Sequence, residues 1–185
     1  MAAVANRARL WLWLALVLTV TGVWTARPGA QRPREYQVKA AYLFGFGRFV
    51  EWPAPASARP AFVICVIGDD PFERLLDETT AGGVVKERPV EVRRIARAED
   101  GGDCHTLFVS ASEDVRLARI LQVLAGRPVL TVGETPQFAQ RGGMIGFSLD
   151  GSRVRFTVNL AAAQQAGLTM QSELLRVAAA VLRGR

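Results

Sequence analysis

Three short stretches carry side chains that could do chemistry. "GDDPF" sets Asp69 and Asp70 directly after an apolar run, where a phosphoacceptor domain keeps its acidic pair. That chemistry also needs an aspartate after a later strand and a lysine beyond it. The run ending at Val109 is followed by Ser110, and neither lysine, Lys39 or Lys86, follows a late strand. Asp70 reads better as a helix cap. "CHTLFVS" places Cys104 beside His105, with Ser110 at its end. Nucleophilic catalysis needs a serine or thiolate activated by a base, and His105 is the chain's single histidine. "RGGMIGF" is rich in glycine, but Gly142 and Gly143 precede a strand-like run. Phosphate cradles open into helices, whose first amides bind the anion, so this one reads as a turn. One histidine and two cysteines fall short of the four ligands zinc usually takes. With no metal set and no cofactor loop, the chain reads as a binding protein, with a hydrolase using Ser110 or His105 as the weakest of three readings.

The elements that hold these residues follow from periodicity and punctuation. "VKAAYLFGFGRFVEW" (38–52) packs three phenylalanines, a tyrosine and a tryptophan into fifteen residues. Val38, Ala41, Tyr42, Gly45, Phe46, Phe49 and Trp52 recur at helical spacing, which predicts a core helix from about Glu35, with Gly45 allowing close approach to a sheet. Pro53 ends it. "AFVICVIG" (61–68) suits a strand covered on both faces. Asp70, Pro71 and Glu73 predict a capped helix start. "RPVEVRRI" (88–95) and "CHTLFVS" (104–110) read as strands, and Ser110 with Glu113 as a second capping box ahead of a helix to about Ala125. "PVLTVG" (128–133) is a strand, Thr135-Pro136 opens a short helix, and residues 143–159 form two strands around Asp150-Gly151. Asn159 caps a helix that stops at Gly167, and a last helix runs from about Thr169 to Arg183. Strands alternating with helices give an α/β fold: a single-domain sandwich whose mixed, mainly parallel sheet is flanked by helices.

The 185 residues suit one domain. Arg7 and Arg9 precede an uncharged run over residues 10–26. That is the pattern of a signal peptide (1–26), or of an uncleaved anchor, since Trp24 is bulky where a small residue is preferred before the cut. Residues 27–34 read as a spacer and 35–183 as the domain. The net charge is +6. The arginines are scattered among acids with no basic stripe, so nucleic acid is not an expected partner. Two cysteines, Cys65 and Cys104, in an exported chain point to a disulfide; two buried free thiols are the other reading.

Beyond these readings, the chain resembles the YfiR family of exported bacterial proteins. The likeness is carried by "VKAAYLFGFGRFVEWP", "CVIGDDPF", "CHTLFVS", "VLTVGETPQFAQRGGMIGF" and "RVRFTVNLAAAQQAGLTMQSELLRVA", in order and across almost all of the chain beyond the leader. The resemblance implies a compact periplasmic α/β domain without a cofactor. It also implies repression of an inner-membrane diguanylate cyclase through that cyclase's periplasmic region, with release by an outer-membrane lipoprotein. In the family's characterised member the matched cysteines form a disulfide. A small-molecule sensor or carrier, with a pocket at the carboxyl edge of the sheet, is the alternative. For the partner surface, Leu160, Ala163 and Gln164 share one helical face, and Leu168 and Leu175 flank the next stripe. This region is the expected contact for the cyclase, and for a homodimer if one forms.

Overall fold

The computed structural model describes residues 31–54 and 56–184. The expected leader (1–26) and spacer residues 27–30 lie outside them. The first helix, α1, spans Gln31–Phe49, starting four residues before the expected Glu35. It leads into a two-residue strand β1 (Val50–Glu51) and a 3-10 turn at Ala56–Ala58. Then come β2 (Phe62–Ile67), α2 (Leu75–Thr80), β3 (Val84–Val85) and β4 (Arg88–Ile95). A 3-10 segment at Ala98–Asp103 precedes β5 (Thr106–Val109), and another at Ala111–Arg116 runs into α3 (Leu117–Val123). The chain finishes with β6 (Leu130–Gly133), β7 (Ile145–Asp150), β8 (Arg153–Asn159), α4 (Leu160–Gln165), β9 (Thr169–Met170), α5 (Ser172–Val177) and β10 (Ala180–Leu182).

Eight strands form one sheet in the order β10-β8-β7-β6-β5-β2-β4-β3. β4, β2, β5, β6 and β7 run parallel to their neighbours within that block, while β3 and β8 pair antiparallel with β4 and β7. β2, β5 and β6 are buried along their whole length, because each face of the sheet carries a core. One core packs α1, α2, α4 and α5 against Phe62, Ile64, Phe108, Val132 and Phe156. The other packs α3 and the 98–103 segment against Val63, Ile67, Leu107 and Val109. The expected mixed, mainly parallel sandwich is the fold.

α1 differs from expectation in which face turns inward. The buried row is Lys39, Ala40, Leu43, Phe46 and Val50, with Gly47 beside it, while Val38, Ala41 and Phe49 are exposed. α1 is apolar around more than half its circumference, so spacing alone could not choose the face. The close approach to the sheet is made at Gly47, where a Cβ would sit 2.9 Å from Phe62 and from Val85; at Gly45 it would meet nothing within 4 Å. The two glycines therefore respond oppositely to one substitution. Gly45→Ala is expected to stabilise by about 0.5–1 kcal/mol through helix propensity. Gly47→Ala gains the same propensity but must displace a phenyl ring and a valine, for a net loss of about 1 kcal/mol. Urea unfolding of the two variants checks both signs.

Four further expectations yield to tertiary pairing. The 169–183 segment is not one helix. Met170 pairs with Val50, and Ala179 donates its amide to Phe156 at 2.8 Å, so the open edge of β8 draws the chain into β10. The expected helix at Thr135-Pro136 is a series of turns. Asp70 does not cap a helix: its Oδ1 accepts from the Phe72 amide at 2.8 Å in a tight turn, and Glu73 takes φ +51°. Its other oxygen accepts from Arg94, which also grips Asp77 and holds that carboxyl below its usual range. Ser110 and Glu113 form no capping box either, since the Ser110 side chain makes no cap bond and Glu113 pairs with Arg116.

Candidate functional site

One flank of α1, between its buried row and its exposed side, faces α5 across an apolar groove. Tyr42, Gly45, Phe46 and Phe49 form one wall, Phe156 of β8 the floor, and Leu174 and Val177 the other wall, around a volume of roughly 360 Å³. Aromatic rings build the floor from below. Phe46 and Phe156 meet edge to face at 5.3 Å, Tyr42 and Phe156 at 5.4 Å, and Phe147 lies 6.0 Å from both Tyr42 and Phe46. Such packing fixes the rings, so the groove is preformed rather than a gap that collapses. Gly45 contributes its missing Cβ: any larger side chain there would project into the opening. Phe49 is 36% exposed and Val177 64%, a pairing of large apolar surface at one place that a surface seldom leaves unused. Charge enters the lining through two mostly exposed residues of α5, Glu173 and Arg176, which stand 3.8 Å apart.

A small clip holds the two walls. β1 and β9 pair antiparallel, Val50 against Met170 and Glu51 against Thr169. Gln171 donates its amide to the Phe49 carbonyl at 2.9 Å and its side-chain amide to Glu51 at 3.0 Å. Lys86 bonds the Val50 carbonyl at 2.8 Å and pairs with Glu51, lowering that carboxyl's pKa through the hydrogen bond. The end of α1 and the start of α5 are thus fixed to each other through residues far apart in sequence.

The carboxyl edge of the sheet is filled where strand order reverses, between β2 and β5, the place such sheets commonly bind ligands. Ser112 Oγ accepts from the Asp69 amide at 2.9 Å, and a Cβ on Gly68 would lie 2.5 Å from that oxygen. Glu113 is buried there against Arg116. One edge further along, Lys39 lies buried beneath α1 between two carboxylates. It pairs with Glu35 and, at 2.6 Å, with Glu134, which also accepts from the Tyr36 hydroxyl at 3.3 Å.

His105 is fully buried, sandwiched by Phe62 at 4.7 Å and met edge-on by Trp52 at 5.8 Å. Its Nδ1 accepts from the Val63 amide at 3.0 Å, which places the proton on Nε2, 2.9 Å from the Ala56 carbonyl. Burial, first, and then Arg88 and Arg59 push its pKa down to about 4. Both nitrogens are engaged in holding backbone, as a structural histidine's are. Cys65 and Cys104 are joined, with Cα atoms 5.9 Å apart, tying β2 to the segment entering β5. Among the described residues no group of three or more His, Cys, Asp or Glu side chains could hold a metal ion.

The residues expected to bind a partner fall in different places. Ala163 and Leu168 are buried in the core, leaving no surface to offer. Leu160 and Gln164 line a shallow depression between α4 and the segment after β10, with Arg183 and Gly184. Leu175 is half-buried on α5, whose next-but-one residue, Val177, forms the groove wall. Phe49, Gly45 and Tyr42 were visible in the sequence as an aromatic stripe, but that stripe was read as core.

A family model described as YfiR/HmsC-like matches residues 36–179. Among solved structures, an ABC domain in complex with L-Trp from Streptococcus pneumoniae superimposes with a TM-score of 0.55 at 11% identity, covering 77% of this chain and 60% of that one. A conserved domain protein from Vibrio cholerae gives 0.50 at 12% identity, covering 64% and 54%. The chain thus spans less than two thirds of either relative's length, and at these identities the likeness is one of fold.

Proposed function

The chain belongs to the YfiR/HmsC-like family, and on that basis we propose that it is a periplasmic regulatory protein that represses an inner-membrane diguanylate cyclase by direct contact. The output is lower cyclic di-GMP. The observation that carries the reading onto this molecule is the apolar groove between α1 and α5, with Phe49 and Val177 exposed at its lips. A concave apolar centre bordered by exposed charges is the anatomy of a protein interface. Arg7, Arg9 and the apolar run behind them support export. The buried, doubly bonded ring of His105 supports a binding role over a hydrolytic one.

The contact region extends to Leu175, beside the groove on α5. The depression at Leu160 and Gln164 is a second surface, suited to the outer-membrane lipoprotein that relieves repression or to a second copy of the chain. Ala163 and Leu168 serve by supporting α4 from within.

Cyclic di-GMP in the native host tests the reading. Phe49→Glu and Val177→Glu each place a charge on exposed positions, so folding and abundance should stay near wild type. Cyclic di-GMP should rise to the level of a strain lacking the protein. Well-folded, exported variants that repress as fully as wild type would rule out the groove as the contact.

A further inference from the structure

We propose that Lys86 is a positioning residue for the groove: the β3–β4 turn is held in a strained conformation that aims this ammonium at the end of α1, and the contact sets α5 in its place against α1. This deepens the regulatory reading above and rests on it for its biological use, while the geometry stands by itself.

The backbone marks the turn. β3 and β4 pair antiparallel, Val85 against Arg88, so Lys86 and Glu87 alone make the loop. Their φ values are +49° and +65°. Two-residue hairpin loops commonly need positive φ, and Asn-Gly or Gly-Gly supplies it without strain. Lysine and glutamate each carry a Cβ that this region crowds. Backbone held this way persists where its surroundings over-determine it, and it clusters at places with a task. Glu87 is exposed and forms no ion pair among the described residues. The contacts of the turn are made by Lys86.

Those contacts reach both walls of the groove. Lys86 Nζ donates to the Val50 carbonyl at 2.8 Å and pairs with Glu51 Oε2. Backbone groups alternate along β1. The Phe49 carbonyl faces β9 and accepts from the Gln171 amide at 2.9 Å. The Val50 carbonyl faces the other edge, where β1 has no neighbouring strand. Val50 is fully buried, so its carbonyl depends on Lys86 in place of a strand. Glu51 passes the contact on, since its Oε1 accepts from Gln171 Nε2 at 3.0 Å. Gln171 stands at the cap of α5, whose Leu174 and Val177 form one wall, and Phe49 ends α1 in the other. Lys86 itself is absent from the lining, so it acts through Val50, Glu51 and Gln171. Without the ammonium, the half-exposed Glu51 side chain turns to water and Gln171 loses a fixed acceptor.

The test uses the full chain. Lys86→Met keeps the length of the side chain and removes the donor. Amide exchange in residues 169–177 should accelerate about 10-fold, the low end for losing a hydrogen bond to a charged group. The amides of β2, β5 and β6 should keep their protection. Glu51→Gln should act in the same direction, and the double variant should fall short of the product of the two single effects, because the two residues share one contact. Glu87→Gly relieves the turn without touching the tether. It should raise the unfolding midpoint and leave exchange in 169–177 at the wild-type rate. Cyclic di-GMP in the native host should rise with Lys86→Met and stay unchanged with Glu87→Gly. Wild-type protection of 169–177 in Lys86→Met, acceleration spread evenly over the sheet, or a double variant that multiplies the single effects would each overturn the positioning role. If Lys86→Met does not fold, exchange in Glu51→Gln decides. Failure of the regulatory reading would show separately, as Phe49→Glu and Val177→Glu proteins that still repress while Lys86→Met still frees 169–177.

Discussion

Replacing Lys39 with alanine is expected to cost about 3–5 kcal/mol, one of the two largest single effects in this protein. The ammonium lies beneath α1 with 5% of its side chain exposed, between Glu134 at 8% and Glu35 at 20%. It also sits over the Tyr36 ring at 4.6 Å. Removing one partner of a buried ion pair strands the other charge, and that stranding, more than the lost attraction, sets the cost. Here two carboxylates are left facing each other. A domain of this size has only about 5–15 kcal/mol of stability in total, so the midpoint should fall by roughly 6–20 °C. Glu134→Gln combined with Lys39→Met removes the two most buried charges, leaving Glu35 with its partly exposed carboxylate, and should recover about half of the loss. Thermal and urea unfolding of the single and double variants measures both. A Lys39→Ala protein within 1 kcal/mol of wild type would mean that the cluster is solvated and loosely held.

Losing the Cys65–Cys104 bond should cost about 4 kcal/mol. The two residues are 39 apart in sequence, and closing a loop of that length removes roughly this much entropy from the unfolded chain. Cys65 is fully buried and Cys104 is 2% exposed, so reductant should reach the bond only through opening of the sheet. Non-reducing mass spectrometry should find the linked peptides, and unfolding with and without reductant should give the difference. Two freely alkylated thiols in protein from its native compartment would refute the linkage.

Much of the fold was legible because its signals are local. A continuous apolar run as short and β-branched as "FVICVI" suits a strand covered on both faces, and Asn159 caps α4 as expected, its side chain accepting from the Ala162 amide at 3.0 Å. The failures share one cause, that the deciding partner is distant in sequence. The inner face of α1 is chosen by Glu134, which gives Lys39 a buried counter-charge 95 residues away, and by Phe62 and Val85, which close on Gly47. The tail "TMQSELLRVAAAVLR" (169–183) has strong helix propensity over much of its length, yet β1 takes Met170 at its start and the open edge of β8 takes residues 180–182 at its end, so only Ser172–Val177 is helical. The groove was misread for the same reason. Its aromatic stripe has the spacing of a core face and is one in part: Phe46 and Trp52 are buried and Tyr42 packs against the core, while Phe49, at the same spacing, stays exposed at the groove. Asp70 misled differently: the side chain does cap, but it caps a turn, and Arg94 then claims its second oxygen.

The central claim is that the groove between α1 and α5 contacts a diguanylate cyclase of the inner membrane, and site-directed photocrosslinking tests it most directly. A photoreactive residue at Val177, in the groove wall, should capture a membrane protein whose sequence carries a diguanylate cyclase domain. The same residue at Val84, 56% exposed on the β3 edge at the far end of the sheet, should not. Adding Phe49→Glu should abolish the crosslink at Val177 without lowering the amount of protein. Capture of the cyclase from Val84 but not from Val177, or an undiminished crosslink in the Phe49→Glu background, would contradict the account.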